Sequence, residues 1–146
     1  MVKKKTAVLL FLVFCLLGIP ACSSQSELKD GYYTAQAAQA SHGWQEFVTI
    51  TVRGGKITSV EYNAKNDSGF IKSWDNAYMY NMKSDTGTYP NEYTRNYAAQ
   101  LLQKQASGID AIAGASHSSK SFEKLSAAVI EQAKKGDSNV IKVVTE

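Results

Sequence analysis

The chain has 146 residues, of which 16 are basic and 13 acidic, with two cysteines and a formal net charge of +3. Lys3, Lys4 and Lys5 lead an apolar run from Ala7 to Ala21 that reads as an export signal to be removed, so the remaining chain is formally neutral. A neutral chain without a Lys/Arg stripe offers no electrostatic footprint for nucleic acid. With Cys15 in the signal and Cys22 alone beyond it, neither a disulfide nor a thiolate metal cluster can be built.

The apolar run is too short to be read as a membrane span. Ile19-Pro20-Ala21-Cys22 resembles the lipobox of bacterial lipoproteins. That resemblance implies acylation of Cys22, which becomes the new N-terminus and anchors the protein at the cell membrane, facing outside the cytoplasm. Residues 1–21 are thus the signal, 22–30 a polar tether from the lipidated cysteine, and 31–146 one domain. About 125 mature residues suffice for one domain with one core, and not comfortably for two.

The domain opens with a strand over Tyr32 to Ala37, led by a turn at Asp30-Gly31. Phe47 to Val52 alternates apolar with polar, as a half-buried strand does. Arg53-Gly54-Gly55-Lys56 signals a hairpin, and Ile57 to Tyr62 returns antiparallel. Ile57 and Val60 are out of phase there, which predicts a twisted or bulged strand. Asn63 to Tyr89 lacks long periodicity and is expected to be a long functional loop with a short helix near Trp74 to Met82. Pro90 suits a helix first turn. Tyr93, Tyr97 and Leu101, with Ala98 and Leu102, mark an apolar face running to about Ala106. Ser107-Gly108 ends that helix, and a short extended stretch follows from Ile109 to Ala113. A second helix starts near Ser119, buries Phe122, Leu125, Val129 and Ala133, and stops at Gly136. Strands first and helices later predict an α+β fold, a small antiparallel sheet with helices packed on it.

Chemistry concentrates in Asp110-Ala-Ile-Ala-Gly114-Ala115-Ser116-His117-Ser118-Ser119. Gly114 and Ala115 are small enough to let backbone approach a ligand. The hydroxyls lead into a helix N-terminus, whose free N–H groups and dipole favour phosphate, with Ser118 or Ser119 available as a cap. The same residues fit a plain Ser-rich turn. His117 reads equally as an exposed loop histidine or as a group touching the phosphate or Ser116. Asp110 reads as a surface carboxylate or as a residue orienting the loop. Trp74, Tyr78, Tyr80 and Tyr89 suit the wall of a flat aromatic ligand, and core packing explains them as well. Met79 and Met82 are read as gap fillers. His42 has no partner at metal spacing and is assigned no role; no zinc site, Cys-His nucleophile or serine triad is indicated.

The pattern Asp110-x-x-x-Gly114-Ala115-Ser116-x-Ser118-Ser119 resembles the flavinylation motif of the FMN-binding domain family, found in sodium-pumping quinone reductases, related electron-transport complexes and small lipoproteins. Asp30-Gly31-x-Tyr33, the run from Val48 to Val60, and the spacing of Trp44, Phe47, Gly69, Lys72-Ser73 and Asp75 extend the likeness to nearly the whole mature chain, in its single-domain lipoprotein branch. The resemblance implies FMN as cofactor. It implies a flavin transferase as partner, which uses FAD and magnesium, and Ser116 as the hydroxyl that receives FMN as a phosphoester. Gly114, Ala115, Asp110, Ser118 and Ser119 are its companions in the motif. The expected function is an electron-transfer flavoprotein rather than a stand-alone enzyme, with donor and acceptor unassigned. A lipoprotein binding module that keeps the fold with weak or no FMN, and a flavin-dependent reductase with its own substrate, are the other readings.

Overall fold

The computed structural model describes residues 27–145. The expected signal, the lipid site Cys22 and the tether as far as residue 26 lie outside them. The elements in chain order are β1 (Gly31–Ala37), β2 (Gln45–Arg53), β3 (Lys56–Lys65), a 3-10 turn (Lys72–Trp74), α1 (Asn76–Thr86), α2 (Pro90–Lys104), α3 (Ser116–Lys135) and β4 (Ile141–Val143). The four strands form one sheet in the order β3-β2-β1-β4, with α2 and α3 packed against it.

Alternation decides which face of the sheet is covered. Val48, Ile50 and Val52 of β2 and Tyr33 and Ala35 of β1 point into the core, where they meet Tyr93, Tyr97 and Leu101 from α2 and Phe122, Leu125, Val129 and Ala133 from α3. The β2–β3 hairpin turns at Gly54-Gly55 as expected. Pairing then jumps from Val52↔Ile57 to Thr51↔Ser59, leaving Thr58 as the extra residue of a bulge. That extra residue is why Ile57 and Val60 are out of phase in the sequence.

The sheet is mixed rather than wholly antiparallel. β4 runs parallel to β1, pairing Ile141 with Ala35 and Val143 with Ala37. Three exposed or half-exposed residues carry no burial alternation, so nothing in the sequence marked them as a strand. The stretch expected to be a long loop is also more ordered than its composition suggests. It contains the 3-10 turn and α1, which Asp75 caps by accepting from the Tyr78 N–H at 2.9 Å. At the start of the domain the chain is engaged before Gly31: Leu28 packs on the core, and the Lys29 N–H donates to the Ala133 carbonyl at 2.9 Å.

In α2 the cap is Tyr89, Pro90 opens the helix, and the buried residues are Pro90, Tyr93, Thr94, Tyr97 and Leu101. Gln105 ends it in a left-handed conformation. Its side-chain amide accepts from the Ile57 N–H at 2.8 Å and donates to the Ile57 carbonyl at 2.9 Å, tying the helix to the bulged strand. Leu102, expected on the buried face, is 39% exposed, because one residue of helix turns it about 100° from Leu101. Leu101→Ala should therefore cost about 2–5 kcal/mol of unfolding free energy and Leu102→Ala less than about 0.5 kcal/mol. Urea titrations of the two variants beside the parent check this.

Candidate functional site

The motif loop from Asp110 to Ala115 is built onto α2 by side chains that reach its backbone. Gln100 accepts from the Asp110 N–H at 2.7 Å and donates to the Asp110 carbonyl at 3.2 Å. The Tyr97 hydroxyl, fully buried, accepts from the Ile112 N–H at 3.1 Å and lies 3.5 Å from the Ala115 carbonyl. A turn bond from the Ala115 N–H to the Ile112 carbonyl closes the loop. Gly114 has φ +80° and packs so tightly on the end of α1 that a Cβ there would sit 2.5 Å from the Thr86 carbonyl oxygen. The small residue is thus demanded by chain against chain.

Helix α3 begins three residues earlier than the sequence suggests. Ala115 is its N-cap, with no side-chain cap, and Ser116, His117 and Ser118 form its first turn. Neither Ser118 nor Ser119 caps the helix. Ser119 Oγ donates to the Ser116 carbonyl at 3.1 Å, and the Ser118 carbonyl lies 3.0 Å from the Tyr62 hydroxyl. The first helical bond is made by the Ser119 N–H to Ala115. Among the described residues, the backbone N–H groups of Ser116, His117 and Ser118 have no acceptor, and an uncapped start of a 20-residue helix leaves them free for an anion. Ser116 and His117 are exposed; Ser118 and Ser119 are buried.

Beside this helix start lies an open cleft of about 260 Å³, lined by residues from five separate parts of the chain, Tyr93 of α2 among them. Gly114, Ala115, His117 and Ser118 form one side. The β1–β2 turn contributes Ser41, His42 and Trp44; it is closed by two backbone bonds between Ser41 and Trp44, and positive φ at His42 and Gly43 makes it tight. Tyr78 and Met82 come from α1. Lys72 comes from the 3-10 turn, which Asn63 pins to β3 by donating to Ser73 Oγ at 2.8 Å. Trp44 and Tyr78 meet edge to face at 6.0 Å, and the Lys72 ammonium sits 4.5 Å from the Tyr78 ring centre and 5.9 Å from that of Trp44. A cation, two aromatic walls and unpartnered helix N–H groups form a donor set suited to a phosphate joined to a flat ring.

Of the motif residues, Gly114, Ala115 and Ser118 line the cleft, while Ser116 stands on the first turn outside its lining. Ser119 lies beneath. Asp110 is at the far end of the loop, its side chain 89% exposed and paired with Lys104 at 3.4 Å. Among the aromatics weighed as a ligand wall, Tyr78 lines the cleft; Trp74 and Tyr80 are exposed elsewhere, and Tyr89 caps α2 beneath Lys83. Trp44, Lys72, Glu46 and His42 are among the lining residues that the motif did not assign to the site. Trp44 and Lys72 stood in the family spacing; His42 and Glu46 carried no such signal.

Behind Tyr93, which lines the cleft, lies a buried aromatic group. Tyr62 packs on Phe122 at 4.8 Å, Phe122 stacks on Tyr97 at 5.5 Å, and Tyr93 leans on Tyr97 at 6.2 Å. The Tyr62 hydroxyl lies 2.7 Å from the buried Glu46 carboxylate and 3.0 Å from the Ser118 carbonyl, joining β2 and β3 to the first turn of α3. Burial raises the Tyr62 phenol well above its ordinary value, with the neighbouring Glu46 charge pushing the same way; burial also raises Tyr93. Both raised values favour the protonated phenol in the fold. Their contribution is complete below the unfolded value near 10 and is lost as pH rises above it. Chemical denaturation between pH 8 and 12 should show stability falling once pH passes about 10, with a shallower fall in Tyr62→Phe. Tyr97→Phe keeps the ring and removes the loop's brace. A loss of about 1 kcal/mol and faster hydrogen exchange at Ile112 are expected, read by mass spectrometry of the peptide spanning 109–116.

A family model for the FMN-binding domain matches residues 43–131, a stretch that includes the motif loop, most of α3 and the cleft lining other than Ser41 and His42. The chain is 33% identical over 129 residues to a 15 kDa lipoprotein of Treponema pallidum (strain Nichols), covering 87% of this chain and 92% of that one. It is similar to the crystal structure of a Clostridium perfringens protein, with a TM-score of 0.78 and 38% identity over 82% of this chain and 99% of the other. The uncapped start of α3, the aromatic cleft beside it and the matched family model converge, and the chain belongs to the FMN-binding domain family, with FMN as its cofactor.

Proposed function

We propose that this protein carries FMN covalently on Ser116 and serves as an electron-transfer flavoprotein, held outside the cytoplasm by lipid on Cys22. The observation that carries the reading is the position of Ser116: an exposed hydroxyl on the first turn of α3, next to unpartnered N–H groups and the aromatic cleft. Similarity to a lipoprotein supports the anchor.

Attachment by a flavin transferase joins the Ser116 oxygen to the FMN phosphorus of FAD. The pyrophosphate bond breaks, AMP leaves and the hydroxyl proton is lost. Exposure of Ser116 lets a second protein reach it. Asp110 fits a role in that encounter rather than in holding FMN, since its backbone is fixed by Gln100 while its carboxylate faces solvent, open to magnesium brought by the transferase. The free N–H groups of Ser116, His117 and Ser118 would hold the phosphate. Lys72 supplies a second positive charge, and Trp44 and Tyr78 offer faces for the ring. Bound FMN supplies one- and two-electron chemistry, and the protein supplies position and electrostatics.

Coexpression of the domain with a flavin transferase should add the mass of FMN, less one water, to the tryptic peptide containing Ser116. Ser116→Ala should lose that addition, while Ser118→Ala, altered on the buried side of the same turn, should keep it. An unmodified and colourless parent would instead favour a lipoprotein module with weak or no FMN.

A further inference from the structure

The N-terminal leader joins the domain at the end opposite the cleft. Glu27 lies against Gly55 in the β2–β3 turn, and Lys29 is bonded to Ala133 near the C-terminal end of α3. Trp44 and Glu46 stand at the other end of β2, and Ala115 and Ser118 at the other end of α3. From Glu46 to Arg53 the strand rises about 24 Å, and from Ser116 to Ala133 the helix rises about 26 Å. Five residues take the chain from Cys22 to Glu27, and however they are arranged they span at most about 18 Å.

We propose that the cleft cannot face the membrane to which the protein is anchored, and that its electron partner comes from the aqueous side rather than being a quinone dissolved in the bilayer. The inference rests on the lipid anchor at Cys22 and on FMN at the cleft. With the cleft turned onto the membrane, Glu27 would stand about 24 Å or more above the surface, beyond the reach of its leader. Orientations within reach put the cleft sideways or outward. The free N–H groups of α3 point along the helix axis away from Ala133, so the phosphate-facing end opens in the same outward direction.

The chain's two tryptophans, Trp44 and Trp74, make the test direct. Trp74 is 66% exposed, so Trp74→Phe leaves the fold intact and Trp44 in the cleft as the single reporter. The lipid-modified full-length variant is bound to phosphatidylcholine vesicles with and without headgroup spin labels, and flotation is scored separately. Flotation with the same Trp44 emission in both vesicle types is expected. Photoreduced flavoprotein should be reoxidised no faster by vesicles loaded with menaquinone than by empty ones. Flotation with quenching of Trp44, or several-fold faster reoxidation by menaquinone, overturns the proposed orientation while leaving the anchor in place. A protein that fails to float overturns the anchor and the orientation together. A floating protein without flavin still reports orientation through Trp44, so loss of the FMN reading is seen separately.

Discussion

The buried tyrosine cluster under the first turn of α3 is the constraint on which the site depends. Tyr62, Tyr93 and Tyr97 are almost wholly enclosed, and each brings a hydroxyl into a region where an unsatisfied polar group is costly. Tyr97 meets that requirement with the backbone of the motif loop, and Tyr62 with Glu46 and the Ser118 carbonyl. The apolar rings hold the helices to the sheet, while their polar ends decide where the loop and the helix start must lie. Core packing and site placement are therefore done by the same side chains.

A consequence is the separation of what must be rigid from what must be reached. The backbone around Ser116 is held from below by the tyrosines and from the side by the close approach of Gly114 to Thr86. The Ser116 side chain, the Asp110 carboxylate and the free N–H groups face outward. Under the attachment proposed for Ser116, the modified residue has to be accessible to a second protein, and a cofactor proposed to exchange electrons gains from a fixed seat. The uncapped helix serves both, since a side-chain cap would have occupied the donors that an incoming phosphate needs.

The cleft walls are drawn from segments with little core of their own. None of the α1 residues is buried, and the 3-10 turn hangs from β3 largely through Asn63 and Ser73. Such elements sit at the low-stability end of a fold. Their anchoring by Asn63, by the Asp75 cap and by the Gly114 contact is what keeps Lys72 and Tyr78 next to Trp44.

The first three strands, the bulge, the two packed helices and the motif were legible in the sequence, because these rest on local periodicity and on turn chemistry that a chain carries within a few residues. The sequence also carried the membership of the family, through Asp110, Gly114, Ala115 and Ser116 at their spacing. The pairing of β4 with β1 comes from the tertiary fold, since three exposed or half-exposed residues gain a strand conformation from a partner distant in sequence. The tertiary fold likewise decided that α3 starts at Ser116 without a side-chain cap, because the Tyr97 hydroxyl and the Gly114 contact with α1 hold the preceding turn while the Tyr62 hydroxyl holds the first turn of the helix. The assembly of Trp44, Lys72 and Tyr78 into one cleft is tertiary for the same reason: a cation and two rings from separate loops share no period and meet only when the sheet and helices have set the distances between them.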